Sequence, residues 1–262
     1  MAIFKKEIGD LKWRFIVMLI IMTFLLLFTL ALKDIMFATM PGDLNLQIKN
    51  NKLISKLINP NVLKEQLNRM KKDYNYYVWS QWYAKNFFQF LLVAIILYGF
   101  SPFAREVEKG TMYFVLSKRV RKEVYLAKML AGLTTVTVTV LIEGLLPVIV
   151  APLFGNGFKP IPGIEITAQA LAISAFLYTI VSIFSILMND QIKPILISIG
   201  VFVGLGIFGW FKGTRYLCIY RYMMGTDIYL DHGFQWLATL LILATTGSLF
   251  YFGWKLFENK EF

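Results

Sequence analysis

Long apolar runs separated by charged segments dominate the chain. Six of these runs carry almost no charged residue, and each is close to the about 20 residues that a helix needs to cross a bilayer. The sequence therefore predicts an all-α membrane protein with six transmembrane helices in one domain, residues 1–262. The predicted spans cover residues 15–32, 86–104, 124–150, 166–188, 194–211 and 234–254.

The first twelve residues mix apolar and charged positions. Ile3, Phe4, Ile8 and Leu11 recur near helical spacing, with lysines and acids mostly between them. A helix of this kind lies in the membrane interface with its apolar face towards the lipid. We therefore predict an N-terminal interfacial helix at residues 1–12, the alternative being an ordinary charged flank of the first span.

A polar outer segment, residues 33–85, separates the first two predicted spans. The turn signal at residues 59–61 is followed by apolar positions on one helical face, which predicts an amphipathic helix. Six tyrosine and tryptophan residues then crowd into residues 74–83. Such residues collect at membrane interfaces, so this stretch predicts an aromatic belt at one membrane face.

Composition narrows the function classes. Hydrophobic residues make up 57% of the chain and charged residues 16%, whereas a soluble domain has about 45–50% and about 25%. The net charge of +11 then indicates contact with anionic lipid headgroups rather than nucleic acid. A single cysteine and a single histidine exclude an intrachain disulfide and most metal sites and catalytic triads. No P-loop motif occurs, so the chain cannot bind ATP by that route.

The most polar stretch between two predicted spans is residues 103–128. Acidic residues come first, then Gly110 and Thr111, a short apolar turn, and a basic run over residues 118–122. A segment this polar cannot lie in hydrocarbon, because each charge would lose its hydration. It must form a loop on one side of the membrane, and its order of charges suits a docking surface.

The basic residues give the orientation only through their density. An even number of spans puts both termini on one side, and the lysines and arginines divide almost equally between the two sides. Seven of them lie within residues 105–128, however, against nine in the longer segment 33–85. Since long segments count less towards orientation, we predict that the loop and both termini are cytoplasmic.

The order Phe103-x-x-Glu106-x-Glu108-x-Gly110-Thr111, followed by Leu116-Ser117-x-Arg119 and Lys128, resembles the signature of type-two ABC exporter permeases. The similarity extends to the six spans, the interfacial helix and the large outer segment. Ser117 and Lys118 depart from the family pattern, in which a proline and a small residue are common before the basic residue.

The resemblance implies that a short cytoplasmic helix in this loop is a coupling helix, which docks in a groove on a separate ATPase subunit. It implies two ATPase copies that carry ATP and Mg, and no cofactor and no enzymatic activity on this chain. It also implies a second permease in the plasma membrane, expected as a homodimer or, alternatively, as a pair with a related permease. In this interpretation apolar side chains fill the groove, and the two acids pair with basic groups on the ATPase or on the loop itself. The predicted coupling residues are Arg105, Glu106, Glu108, Gly110, Thr111, Met112, Tyr113, Phe114, Leu116 and Arg119.

Two further features lie within the predicted spans. Glu143 is the only acidic residue in them, and a carboxylate at membrane depth is a functional candidate. It is expected either in the transport pathway or in a structural pair with Arg215 or Arg221. Gly200 and Gly204 stand four positions apart, which predicts a close-packing face between helices.

The function expected from the resemblance is export of an amphipathic or hydrophobic cargo, such as a peptide or toxin, out of a bacterial cell. Efflux of drugs, lipid-like molecules or sodium is the nearest alternative. A membrane anchor or sensor without transport is an alternative of another class.

Overall fold

The computed structural model describes residues 2–38, 60–209, 218–230 and 232–261. Within these ranges the secondary structure is helical, and no strand occurs. One segment, Trp79–Phe87, is a π-helix that joins α4 to α5 without interruption. The helices are α1 (Ala2–Ala31), α2 (Lys33–Ala38), α3 (Pro60–Lys72), α4 (Tyr74–Val78), α5 (Phe88–Gly99), α6 (Ala104–Glu108), α7 (Met112–Lys118), α8 (Arg121–Phe154), α9 (Pro160–Leu187), α10 (Ile192–Ile207), α11 (Ile219–Met223), α12 (Thr226–Tyr229) and α13 (Trp236–Asn259).

Five segments in the described part of the chain are long and apolar enough to cross a membrane. They are α1, the continuous stretch Tyr74–Glu108, α8, α9 and α13. The fifth predicted span corresponds to α10, which has only 16 residues and a rise of about 24 Å at 1.5 Å per residue. The last two residues of that predicted span, 210 and 211, lie outside the described residues, so six spans are not confirmed.

The N-terminal residues do not form a separate interfacial helix. Residues from Ala2 onwards belong to one continuous helix that reaches Ala31. No glycine or proline lies between Lys12 and the apolar run, so nothing breaks the helix. Glu7 and Leu11 are buried inside the protein, and the apolar positions that suggested a lipid-facing stripe therefore serve partly as internal contacts.

The long helices pack side by side, so the bundle has two ends. Helix α8 packs along α1 and α9, and α5 and α13 pack on α9. Lys6 bonds to Glu106 of α6, and Arg121 at the start of α8 bonds to the carbonyl oxygen of Glu258. These contacts bring both ends of the described chain to the same end of the helix bundle as residues 103–128. We call this the loop end, and we call the other, where α3, α4, α11 and α12 lie, the opposite end.

The aromatic cluster at residues 74–83 faces inwards, which corrects the predicted aromatic belt. The side chains of Tyr74, Tyr77 and Tyr83 are buried. Their hydroxyls donate to carbonyl oxygens of Ala151 at 2.8 Å, Thr29 at 2.7 Å and Gly144 at 2.8 Å. A buried tyrosine needs such a partner, and these helix carbonyls provide one within the bundle, so the rings link the second span to α1 and α8.

A left-handed glycine sets the direction of the chain between α11 and α12. Gly225 has φ of 64°, a conformation that disfavours residues with a side chain. A Cβ atom at this position would lie 2.2 Å from Cγ1 of Ile166 in α9. Gly225 therefore allows both the turn and the close packing of this segment on α9.

We expect Gly225→Ala to lower the free energy of unfolding by about 3 kcal/mol, since strain from the left-handed backbone adds to overpacking. Gly233→Ala is the matched control, because Gly233 also has a positive φ, 75°, but no described atom lies within 4 Å of its Cβ position. That variant should lose only about 1 kcal/mol. Denaturant titration in mixed micelles measures both values, and equal losses would contradict the packing argument.

Candidate functional site

The polar loop folds into two short helices joined by a left-handed turn. After α6, the N–H of Gly110 donates to Val107 O at 3.0 Å and the N–H of Thr111 donates to Glu106 O at 2.9 Å. With φ of 67° at Gly110, this is the Schellman arrangement that ends helices at a glycine. The turn expected at Gly110 is therefore present, and it directs α7 away from α6.

A buried ammonium group lies beneath this loop. The Nζ of Lys128 donates to Glu7 Oε1 at 2.6 Å and to the carbonyl oxygen of Pro102 at 2.7 Å. Its distance to Glu106 Oε1 is 3.6 Å. The side chains of Lys128, Glu7 and Glu106 are only 1%, 3% and 4% exposed. Two carboxylates and a carbonyl oxygen thus replace water around this ammonium group inside the bundle.

Four more side chains extend this cluster towards solvent. Lys6 donates to Glu106 Oε1 at 2.6 Å, and Thr111 Oγ1 donates to Glu106 Oε2 at 3.1 Å. Arg105 bonds to Asp10. We define the charge network as Lys6, Glu7, Asp10, Arg105, Glu106 and Lys128, in which three cations face three anions.

The network fixes the position of the loop relative to the helices. Glu7 comes from α1, Glu106 from α6 and Lys128 from α8, so three separate elements meet at one point. Removing one member of a buried ion pair leaves an uncompensated charge and typically costs about 3–5 kcal/mol. The loop therefore cannot move away from α1 without exposing or separating these charges.

The loop also contacts the turn between α9 and α10. Glu108 Oε2 accepts from the side-chain amide of Gln191 at 2.8 Å and from its backbone N–H at 3.2 Å. The hydroxyl of Ser185 in α9 accepts from the N–H groups of Phe103 and Ala104 at 3.2 Å and 3.0 Å. The acids expected to contact a partner or their own loop thus bond within the chain, Glu106 to lysines and Glu108 to Gln191.

The outward face of α7 is apolar and exposed. Tyr113 and Phe114 are 68% and 64% exposed, whereas Met112 is 1% exposed and points into the core. Lys118 Nζ lies 4.0 Å from the centre of the Phe114 ring. Of the predicted coupling residues, Arg105, Glu106 and Met112 are anchoring residues, and Tyr113, Phe114 and Arg119 form the accessible surface. Leu116 is partly buried between these two sets, and Gly110 and Thr111 lie in the exposed turn.

The end of the basic run binds the C-terminal segment. Arg121 donates to the carbonyl oxygens of Glu258 and Lys260, both at 2.8 Å, where a cation also complements the C-terminus of α13. Lys260 in turn donates to Ile186 O at 2.7 Å, and burial lowers the pKa of its ammonium group. These contacts join α8, α9 and α13 at the loop end.

Three charged residues of α1, two of them in the charge network, were not singled out from the sequence. Glu7, Asp10 and Arg14 are three and four positions apart on α1, a spacing that places charges on one helix face. Arg14 donates to Leu97 O at 2.8 Å and to Ser101 Oγ at 2.6 Å. A charged stripe that continues into an apolar span is the signal that could have identified this face as buried.

Glu143 is fully buried between α1 and α8. Its Oε1 accepts from Thr23 Oγ1 at 2.8 Å, and its backbone oxygen accepts from the indole of Trp82 at 3.2 Å. Its Oε2 has no hydrogen-bond partner among the described residues. The expected pair with Arg221 is wrong, because Arg221 bonds to Asp227, and Arg215 lies outside the described residues.

Gly200 and Gly204 do not meet another helix within the described part of the chain. No described atom lies within 4 Å of a Cβ atom built at either position. Gly200 is exposed together with Ile192, Leu196, Ile199, Val203 and Ile207, which all belong to α10. The predicted packing face is therefore open in the single chain.

Comparison with protein families gives one match. The profile of a family described as ABC-2 family transporter protein matches residues 1–211. Comparison with curated proteins found no match, and comparison with solved structures found none. The matched range contains the charge network, the polar loop and Glu143.

We expect Lys128→Met to lower the free energy of unfolding by about 3–5 kcal/mol, because Glu7 and Glu106 would keep buried negative charge without their shared cation. Lys122→Met is the control on the same helix, since Lys122 is exposed and should change stability by less than about 0.5 kcal/mol. Adding Glu7→Gln to Lys128→Met should recover part of the loss. A Lys128→Met loss no larger than that of the control would refute the network.

Proposed function

The chain belongs to the ABC-2 family of transporter proteins and is a transmembrane permease, and from this premise we propose that α7 docks on a separate ABC ATPase. The observation that carries the proposal is the exposure of Tyr113 and Phe114 on a short helix whose other side is anchored. Two neighbouring exposed aromatic residues are the type of anchor that fills a pocket on a partner. The same chain supplies no P-loop, so the work of ATP hydrolysis must come from another subunit.

The anchoring explains how a push on α7 would reach the spans. Met112 holds α7 in the core, Glu106 links the preceding helix to α1 and α8, and Glu108 links it to the α9–α10 turn. A displacement of the docked helix is therefore passed to α1, α8, α9 and α10 together. This is a rigid-body transition driven by a ligand of the partner, in which ATP closes the ATPase subunits and the spans change between inward-facing and outward-facing states.

The proposal includes a second copy of the chain and two ATPase copies in the plasma membrane, with the loop end and both termini cytoplasmic. The open apolar face of α10 that contains Gly200 supports an interface between two copies, because small residues let helices approach closely in lipid.

We propose that the cargo is amphipathic or hydrophobic and belongs to the peptides or toxins, and that it is exported; the apolar character of the five candidate spans supports this proposal. Drug, lipid-like or sodium efflux is the alternative cargo. A non-transporting anchor or sensor would also expose aromatic residues at a membrane face, and loss of ATPase binding on changing α7 separates it from a coupled permease.

The double variant Tyr113→Ala/Phe114→Ala should reduce the ABC ATPase recovered with the purified chain at least about tenfold, which corresponds to the loss of one hot-spot anchor. Recovery from native membranes is measured by quantitative mass spectrometry. The melting temperature should stay at the parent value, because both side chains are exposed.

Ile161→Ala/Ile164→Ala is the matched control, since these apolar residues are 66% and 50% exposed at the opposite end. It should leave ATPase recovery unchanged. Unchanged recovery with the α7 variant as well would reject docking through α7 and favour the anchor.

For Glu143 we propose a structural role at the α1–α8 contact. Glu143→Gln keeps an oxygen that accepts from Thr23, so stability should remain within about 1 kcal/mol of the parent and export should continue. Glu143→Leu should lose more stability, because the Thr23 hydroxyl then loses this acceptor. Export lost in a stable Glu143→Gln variant would instead place the carboxyl group in the transport pathway.

A further inference from the structure

A cavity of about 220 Å³ opens at the opposite end of the bundle, away from the polar loop. Its floor consists of buried side chains, among them Val78, Tyr83 and Ile166. At a share of ~30 Å³ each, it has room for roughly seven waters, which is on the scale of one amino-acid residue. The cavity is therefore large enough for the end of an organic molecule.

An aromatic stack forms one wall. The rings of Trp79 and Tyr229 are parallel within 10°, and their centres are 4.6 Å apart. The indole N–H donates to Met224 O at 2.9 Å, and the Tyr229 hydroxyl donates to Asp73 Oδ2 at 2.9 Å. Partial burial and the contact with Asp73 raise the pKa of Tyr229, so the hydroxyl keeps its proton. The polar atoms of the stack are thus occupied, and its ring faces provide a rigid apolar surface.

Two cations stand at the rim. The guanidinium carbon of Arg69 is 4.6 Å from the Tyr76 ring centre and 5.7 Å from that of Tyr229. Lys159 also lines the cavity and is exposed, and its backbone N–H donates to Asn75 Oδ1 at 2.7 Å. Neither Arg69 nor Lys159 has a carboxylate within 4.0 Å in the described part of the chain.

The acid in the wall is already satisfied. Asp73 Oδ1 accepts from the N–H groups of Asn75 and Tyr76 at 2.9 Å and 3.2 Å, which caps α4, and Oδ2 accepts from Tyr229. The cavity lining therefore has two cations and one anion, an excess of one positive charge. This charge balance complements a singly charged anion, and the apolar floor and stacked rings complement an apolar group beside it.

We propose that this cavity is a binding site for an organic carboxylate attached to an apolar group, such as the C-terminal residue of a peptide. Arg69 and Lys159 hold the carboxylate, while the apolar group lies against Trp79 and the floor. The inference does not depend on docking of an ATPase, because the cavity lies at the other end of the bundle and its occupancy can be measured without transport.

The direct test is titration of the purified full chain, in nanodiscs of neutral phosphatidylcholine, with N-acetyl-phenylalanine and with its amide. Isothermal calorimetry should show binding of the acid, and the amide should bind at least about tenfold more weakly, the scale of one charge-assisted contact. Equal binding of acid and amide, or binding of neither, would overturn the proposal.

Variants then assign the site. Arg69→Gln and Lys159→Gln should each weaken binding of the acid about tenfold, whereas Lys72→Gln is a control on α3 that does not line the cavity and should leave binding unchanged. Lys159 keeps its backbone contact in the variant, so that protein tests the site even if Arg69→Gln folds poorly. If the folded Lys159→Gln variant and the Arg69→Gln variant each bound the acid as tightly as the parent, the assignment of the site to this cavity would be overturned.

A lipid headgroup is the competing occupant. Adding phosphatidylglycerol to the nanodiscs should leave acid binding largely unchanged if the site selects a carboxylate with an apolar group. If the acid bound in neutral nanodiscs but no longer bound in anionic ones, a phosphodiester headgroup would be filling the cavity. That result would overturn the proposal.

Discussion

The ammonium group of Lys128 is the constraint on which the loop end depends. A buried cation is costly unless acceptors replace its water, and here the acceptors come from α1, α6 and the carbonyl oxygen of Pro102. Because these acceptors share one cation, they hold α1 in register along α8 and keep α6 against both helices. The burial of Glu7 and Glu106 is tolerated because Lys128 compensates their charges.

The two ends of the bundle are held together by different chemistry. Ion pairs dominate the loop end, whereas tyrosine hydroxyls that bond to helix carbonyls dominate the opposite end. The ion pairs hold the loop that carries α7, and only one side of α7 is exposed. Its exposed aromatic residues therefore belong to a surface with a fixed position. The tyrosines link the second span to α1 and α8, and a displacement at the loop end would therefore move these helices as a unit rather than bend them separately.

Hydropathy predicted five of the spans, because a membrane-length apolar run has few other structures available. The turn at Gly110 was also predictable, because glycine readily adopts the left-handed backbone conformation that the turn requires. The contacts of the charge network were not predictable in this way, since Lys6 and Glu106 are 100 positions apart in the sequence and Lys128 and Glu7 are 121 positions apart. No local pattern records such contacts. The aromatic residues at 74–83 were misplaced for a related reason. Lipid and the protein interior are both apolar, so composition alone does not tell which of them a ring contacts. The 1–12 segment shows the same limit, because Leu11 of its apolar face is buried inside the protein whereas Ile8 is exposed.

The central claim is that an anchored α7 presents its aromatic face to a cytoplasmic ATPase. Ser117→Cys in a Cys218→Ser background allows its most direct test, because Ser117 is exposed on α7 and leaves the Tyr113 and Phe114 anchor intact. The protein is labelled with a membrane-impermeant maleimide, with Ile161→Cys as the control at the opposite end. We predict that Ser117→Cys is labelled from the cytoplasmic side only, in inside-out vesicles, and that bound ATPase protects it until the vesicles are stripped of peripheral subunits. Labelling of Ser117→Cys from the outside, or equal labelling before and after stripping, would contradict this prediction.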